Sequence, residues 1–213
     1  MALSQPAKPQ AQVRRLLAAS RLAKPAFARN GRLLPRAWFM TDPKRTPKPE
    51  RIVEKLPARF GVIYRHYGAK NRFEVGARLA AICKRRRLTL LVSADPQLAQ
   101  RIRADGIHWP EARLTGVRTH NSRWIETVSA HSPQAIGKAK QFGVDAVILS
   151  AVFASASPSA GAPMGALRFR EIARTAPLPL YALGGVTHHN AARAMAHAAG
   201  WASIEAVMSG WRD

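Results

Sequence analysis

The sequence predicts an α/β fold, a compact (β/α)8 TIM barrel. Three observations carry this. Eight short apolar runs alternate with helical segments from Ala37 to Met208, and such alternation implies parallel pairing. The third run, Leu88 to Val92, is apolar without alternation, as a strand buried on both faces must be. The seventh run ends in Gly184-Gly185 and the eighth in Ser209-Gly210, where barrels of this kind present backbone donors to phosphate.

In order, Trp38-Phe39-Met40 is the first strand and Pro49 to Arg59 its helix, with proline in the first turn. Gly61 to Tyr64 is the second strand, and Arg72 to Arg86 a helix with Phe73, Leu79, Ile82 and Cys83 inward. After the third strand come a helix over Pro96 to Arg103 and a very short fourth strand, Gly106 to Trp109. The stretch from Pro110 to Arg123 reads as irregular. Ile125 to Ser129 is strand five, Pro133 to Phe142 a helix, and Ala146 to Leu149 strand six. A small-residue loop, Ala154 to Pro163, leads to a helix over Leu167 to Thr175. Leu180 to Leu183 is strand seven, Asn190 to Ala199 an Ala-rich helix, and Ile204 to Met208 strand eight. The chain given ends at Asp213, so a barrel lacking a regular eighth helix is expected. A doubly wound open sheet is the structural alternative.

Residues 1–36 form a basic extension rich in Ala, Arg and Pro, ahead of the barrel domain over 37–213. The extension holds eight basic groups and no acid. It reads as a basic tail with one short amphipathic helix near Val13 to Ala23, which covers the gap left by the eighth helix or caps the barrel bottom. An Arg-rich, acid-poor start also resembles a transit peptide. The whole chain carries 34 Lys and Arg against 12 Asp and Glu, a formal net charge of +22. Nucleic acid, met through the basic surface, and small phosphorylated ligands are both consistent with that balance. The single cysteine, Cys83, excludes an intrachain disulfide and fits a reducing, cytoplasmic setting. No run reaches the roughly 20 apolar residues of a membrane span, so no membrane partner is expected.

Ligands of such barrels bind at the C-terminal strand ends. Gly184 and Gly185 let a ligand approach the backbone, and the helix start that follows favours an anion. Ser209 and Gly210 add a hydroxyl and further donors. His131, closing strand five in Ser129-Ala130-His131-Ser132, is placed for proton transfer near neutral pH. Arg65, with Lys70 behind it, suits phosphate or diphosphate through its planar fork. His108, at the end of strand four, and Glu111, just after it, are candidate ligand contacts. No zinc-type ligand spacing, Walker A motif or dinucleotide fingerprint occurs.

These motifs resemble the thiamine phosphate synthases and the related TenI proteins. Gly143 to Val147, Gly161-Ala162-Pro163-Met164-Gly165, Pro179 to Thr187 with Asn190, Ala104 to His108, Ser129 to Ser132 and Ala206 to Gly210 follow the family's order over roughly residues 37–210. The resemblance implies an enzyme of thiamine biosynthesis. It couples a pyrimidine diphosphate to a thiazole phosphate with Mg2+ and releases pyrophosphate. Gly184, Gly185 and Ser209 would hold the thiazole phosphate, and Arg65 the diphosphate. Departures fall on the metal and pyrophosphate side. Ser93-Ala94 stand for an Asn-Asp pair, leaving Asp95 and Glu111 as the nearest metal carboxylates, and Arg113 stands where a carboxylate is expected. Ser155 and Ser157 replace threonines, and Pro158 replaces a lysine. A TenI-like thiazole tautomerase, which needs no metal or other cofactor and uses the histidine matching His131, is the alternative. A non-catalytic phosphate-ligand or nucleic-acid-associated barrel is the third reading.

Overall fold

The computed structural model describes residues 9–113, 121–155, 157 and 161–211. Eight parallel strands close a barrel in sequence order. They are β1 (Ala37–Met40), β2 (Gly61–Tyr64), β3 (Thr89–Ser93), β4 (Gly106–Trp109), β5 (Ile125–Ala130), β6 (Ala146–Leu149), β7 (Leu180–Ala182) and β8 (Gly200–Ser203). Closure is made by β1 against β8, with Ala37 opposite Trp201 and Phe39 opposite Ser203. Every residue of β1, β2, β4, β6, β7 and β8 is buried, which explains why their sequences do not alternate.

The helices are α1 (Pro9–Arg21), α2 (Pro49–Val53), α3 (Arg72–Arg86), α4 (Pro96–Arg101), α5 (Pro133–Phe142), α6 (Gly165–Thr175) and α7 (Glu205–Trp211). Their starts follow the expected chemistry. Asp95 accepts the Leu98 N–H at 2.9 Å and Ser132 that of Ala135 at 3.2 Å, each just before a proline in the first turn. A Cβ on Gly61 would stand 2.0 Å from the Trp38 ring, so the indole lies where a side chain on β2 would otherwise project.

Several readings differ: α2 stops at Val53 rather than Arg59, Phe73 is exposed rather than inward, and two further elements change type or place. Strand eight is Gly200–Ser203, and the run from Ile204 to Met208 mostly forms α7. Such a short apolar run suits either period. Pairing with β1 and β7 selects the earlier segment, and the Ser203 hydroxyl accepts the Ala206 N–H at 3.0 Å, starting α7. A short helix, α7, of seven residues thus follows β8. The Ala-rich stretch from Asn190 to Ala199 holds only a 3-10 turn, Ala191–Ala194. Its high helix propensity is overridden because α1 lies against that flank, and Lys24 donates its N–H to the Ala198 carbonyl at 2.8 Å.

The described part of the basic extension is packed against the barrel. Leu16, Ala19 and Ala23 join the main core. Ser20 accepts the Trp201 indole N–H at 2.9 Å, and a Cβ on Gly210 would meet Val13 at 3.1 Å. α1 therefore fills the flank that the short seventh and eighth crossovers leave open. Beyond it the chain passes under the barrel, where a Phe27–Leu33 bridge forms. There Arg29 bonds Asp145 at 2.9 Å and Glu126 at 3.3 Å, and Arg32 pairs with Asp105. These aspartates precede strands and accept the N–H groups of Leu90 and Glu126 on the neighbouring strands. Glu126 is fully buried and also takes the Trp109 indole N–H at 3.0 Å.

Removing one partner of a buried ion pair leaves the other charge uncompensated. Arg29→Met is expected to lower unfolding free energy by about 3 kcal/mol, at the low end for such pairs because Arg29 is partly exposed. Urea unfolding checks this as a midpoint shift at constant slope.

Candidate active site

The C-terminal strand ends enclose a cavity of about 710 Å3, bordered by the ends of β1, β2, β6, β7 and β8. One wall is the di-glycine turn. Gly184 and Gly185 have φ of +88° and +60°. A Cβ on Gly185 would stand 2.0 Å from the Ala154 carbonyl oxygen. The β6 loop is bound to this turn, with Val152 N–H on the Leu183 carbonyl at 2.9 Å and Phe153 N–H on that of Gly184 at 3.0 Å. Asn190 closes it by donating to the Gly185 carbonyl at 2.9 Å and accepting the Thr187 N–H at 2.8 Å. Successive backbone N–H groups in a turn can make an anion-binding concavity.

Another part of the lining is cationic. Arg65 follows β2, and its backbone N–H and Nε bond the Thr41 hydroxyl and carbonyl at 2.9 and 3.1 Å. Its Nη2 lies 3.6 Å from Asp42. Burial lowers the Arg65 pKa while Tyr67 and Asp42 oppose the shift, and the guanidinium stays charged. Arg45, from the loop after β1, pairs with Asp42 at 3.2 Å and with Glu205 at 3.4 Å. Burial pulls the Asp42 pKa up, but the N–H groups of Arg45 and Lys44 and the Arg45 guanidinium outweigh it, leaving the carboxyl below its usual range. His188 and His189 border the same cavity, their rings 3.9 Å apart. His188 has a buried Nε2 without a hydrogen-bond partner. Burial first, then His189 and Arg15, lower its pKa.

Of the residues read from the sequence, Arg65, Gly184, Gly185, Ser155, Ser157 and Ser209 line this one cavity. Ser209 does so from α7 and not from a strand end, its hydroxyl donating to the Ala206 carbonyl at 3.3 Å. Gly210 is also inside α7, facing Val13 of α1. Lys70 is exposed and is not among the residues lining the cavity. Pro158 lies outside the described residues.

His131 lines a smaller adjoining cavity of about 340 Å3, which shares Ser150 and Ala151 with the first. Its Nδ1 is 2.6 Å from Glu111 and its side chain is 53% exposed. His108 is buried, with ring nitrogens 2.9 Å from both Thr127 and Ser129. Both nitrogens are thus taken within the barrel, and so is the Ser129 hydroxyl. Burial, with a smaller contribution from Arg65, pushes the His108 pKa down to about 3.

Asp95 and Glu111, the carboxylates read as metal ligands, each have a partner in the structure. Asp95 caps α4 and pairs with Arg72 at 3.6 Å. Glu111 is bound to His131. Among the described residues no three His, Cys, Asp or Glu side chains gather as a metal site.

Four features escaped the sequence reading. Asp42 and Arg45 sit in a proline-containing loop after strand one with no motif. His188-His189 adjoins the di-glycine and was legible by position. Glu205 was hidden because strand eight was placed too late.

The profile of the family described as "Thiamine monophosphate synthase" matches residues 39–207. The chain belongs to this family. It is 27% identical over 161 residues to "Putative thiamine-phosphate synthase 2" of Aquifex aeolicus, covering 72% of this chain and 87% of that protein. It is 32% identical over 114 residues to the "Thiamine-phosphate synthase" of Caldicellulosiruptor bescii, about half of each. The solved "Thiamine phosphate pyrophosphorylase from Pyrococcus furiosus" shares the fold, with TM-score 0.68, 22% identity and coverage of 82% of this chain and 87% of that one. No described helix is long and apolar enough to cross a membrane.

Two outcomes follow. Gly185→Ala meets both the Ala154 carbonyl and a positive φ, so it is expected to lower the melting temperature and weaken phosphate-ligand binding, read by calorimetry. His108 must stay neutral to remain buried. Because its folded pKa is depressed, its contribution to stability is complete above about 6.5 and falls as pH drops toward about 3, by about 1.4 kcal/mol per pH unit. His108→Gln should therefore show a flatter stability profile than the parent between those limits, measured by urea unfolding at stepped pH.

Proposed function

We propose that this protein acts in thiamine biosynthesis as a synthase, joining a pyrimidine diphosphate to a thiazole phosphate with release of pyrophosphate. The observation that carries the reading is one cavity lined by both Arg65 and Gly184-Gly185, within a chain whose barrel belongs to the synthase family. The C–O bond between the pyrimidine methylene and the diphosphate breaks, and its electron pair leaves on the diphosphate oxygen. The thiazole nitrogen donates its pair to the same carbon. Arg65 meets the charge that develops on the leaving group, where a positioned cation acts most strongly. The di-glycine N–H groups, with Ser209 at the rim, hold the thiazole phosphate. Ser155 and Ser157 border the space between. Asp95 is paired with Arg72 and Glu111 with His131.

The pair His131–Glu111 supports a second reading, thiazole tautomerisation. A half-exposed imidazole bonded to a carboxylate at 2.6 Å is equipped to move a proton.

Complementation of a thiamine-requiring strain that lacks the synthase tests the first reading, alongside an assay of purified protein for thiamine phosphate and pyrophosphate. Growth and stoichiometric products are expected, with kcat/KM falling about 100-fold in Arg65→Gln. No products from a folded protein, together with thiazole isomerisation that Ala at position 131 abolishes, would replace the first reading by the second.

A further inference from the structure

The cavity contains a cation that its own chain holds in check. Arg45 has two carboxylate partners, and they differ in kind. Asp42 is committed to the loop after β1. Its Oδ1 accepts the N–H groups of Lys44 and Arg45 at 3.1 and 2.9 Å, and its backbone exchanges two 2.8 Å bonds with the Thr46 hydroxyl. Glu205 has one ion-pair partner among the described residues, Arg45 at 3.4 Å, and its side chain is 62% exposed. Exposed pairs at such a distance contribute little. The Arg45 side chain is 27% exposed, and Arg45, Arg65 and Glu205 all line the cavity that holds the di-glycine turn.

We propose that Arg45 is a further substrate-binding residue, and that Glu205 is a displaceable placeholder which a phosphate or diphosphate oxygen replaces on the Arg45 guanidinium. This deepens the synthase reading and rests on it for the identity of the anion. Asp42 keeps the guanidinium aimed into the cavity during the exchange. Arg45 and Arg65, both fixed by Asp42, then form a two-cation clamp. Such a clamp suits the diphosphate, the more highly charged group of the proposed substrates. An empty site with two unbalanced arginines would take up any anion. Placing Glu205 on one of them sets a threshold that weakly charged anions do not pass.

The placeholder role has an uncommon signature, since removing a cavity residue improves binding. Inorganic pyrophosphate is the probe, titrated by calorimetry into the full chain at fixed ionic strength. Arg45→Gln is expected to weaken binding about tenfold. Glu205→Gln is expected to strengthen it about threefold. In the Arg45→Gln background, Glu205→Gln should change nothing, because the two act through one contact. Arg78→Gln and Glu54→Gln alter net charge equally at ion pairs on α3 and beside α2 and are expected to leave affinity within about twofold. Thermal melting of each variant confirms that it is folded, and Arg45→Lys, which keeps the charge, should recover part of the loss.

The proposal is overturned if Arg45→Gln binds pyrophosphate as the parent does. It is equally overturned if Glu205→Gln weakens binding, or strengthens it as much without Arg45. These outcomes are separate from those of the synthase assay. A protein that makes thiamine phosphate yet shows no Arg45 effect loses only this proposal. One that shows the full pattern without making the product keeps the clamp and loses the synthase reading.

Discussion

A closed barrel needs apolar cover on every side, and the described segments after β7 and β8 are only a 3-10 turn and a seven-residue helix. The burial of Trp201 is the constraint on which the rest depends. Its ring packs edge-on against Phe60 at 5.7 Å, and its indole N–H requires an acceptor once water is excluded. Ser20 of α1 is that acceptor. The basic extension thereby takes over the wall next to the short seventh and eighth crossovers, and Leu16, Ala19 and Ala23 add apolar area to the common core.

The same segment explains part of the charge excess. Arg29 and Arg32 neutralise aspartates that tie the bottoms of neighbouring strands together. Carboxylates that anchor backbone N–H groups need a cation when buried, and the chain brings one from far away in sequence. At the opposite face the logic is reversed. Asp42 is an anchored carboxylate that organises two arginines, whereas Glu205 is a loosely held one. Fixed charges at the bottom hold the barrel, and exchangeable ones at the top leave room for a ligand.

Much of this was legible beforehand. The alternation of runs identified the barrel because parallel strands are buried on both faces and helices must return the chain. Gly184-Gly185 announced a close backbone approach, and the contact of a would-be Cβ with Ala154 is its physical reason. Strand eight was misplaced because Ile204 to Met208 is apolar at either period. The error hid Glu205 and set Ser209 and Gly210 at a strand end, when Gly210 in fact makes room for Val13 of α1. His108 looked like a ligand contact from its place at the end of a strand. Its two bonds, to Thr127 and Ser129, are set by the inward pleat and register of β4 and β5, which no local pattern reveals.

By itself the sequence determined the fold class and the close backbone approach at the di-glycine after strand seven, because these follow from residue type and spacing along one segment. Only the tertiary structure decided which charges meet. Arg45 and Glu205 are 160 residues apart in the chain, and barrel closure between β1 and β8 places them together. Their pairing depends on register and on a few ångströms of side-chain reach, and both arise only when the first and last strands join.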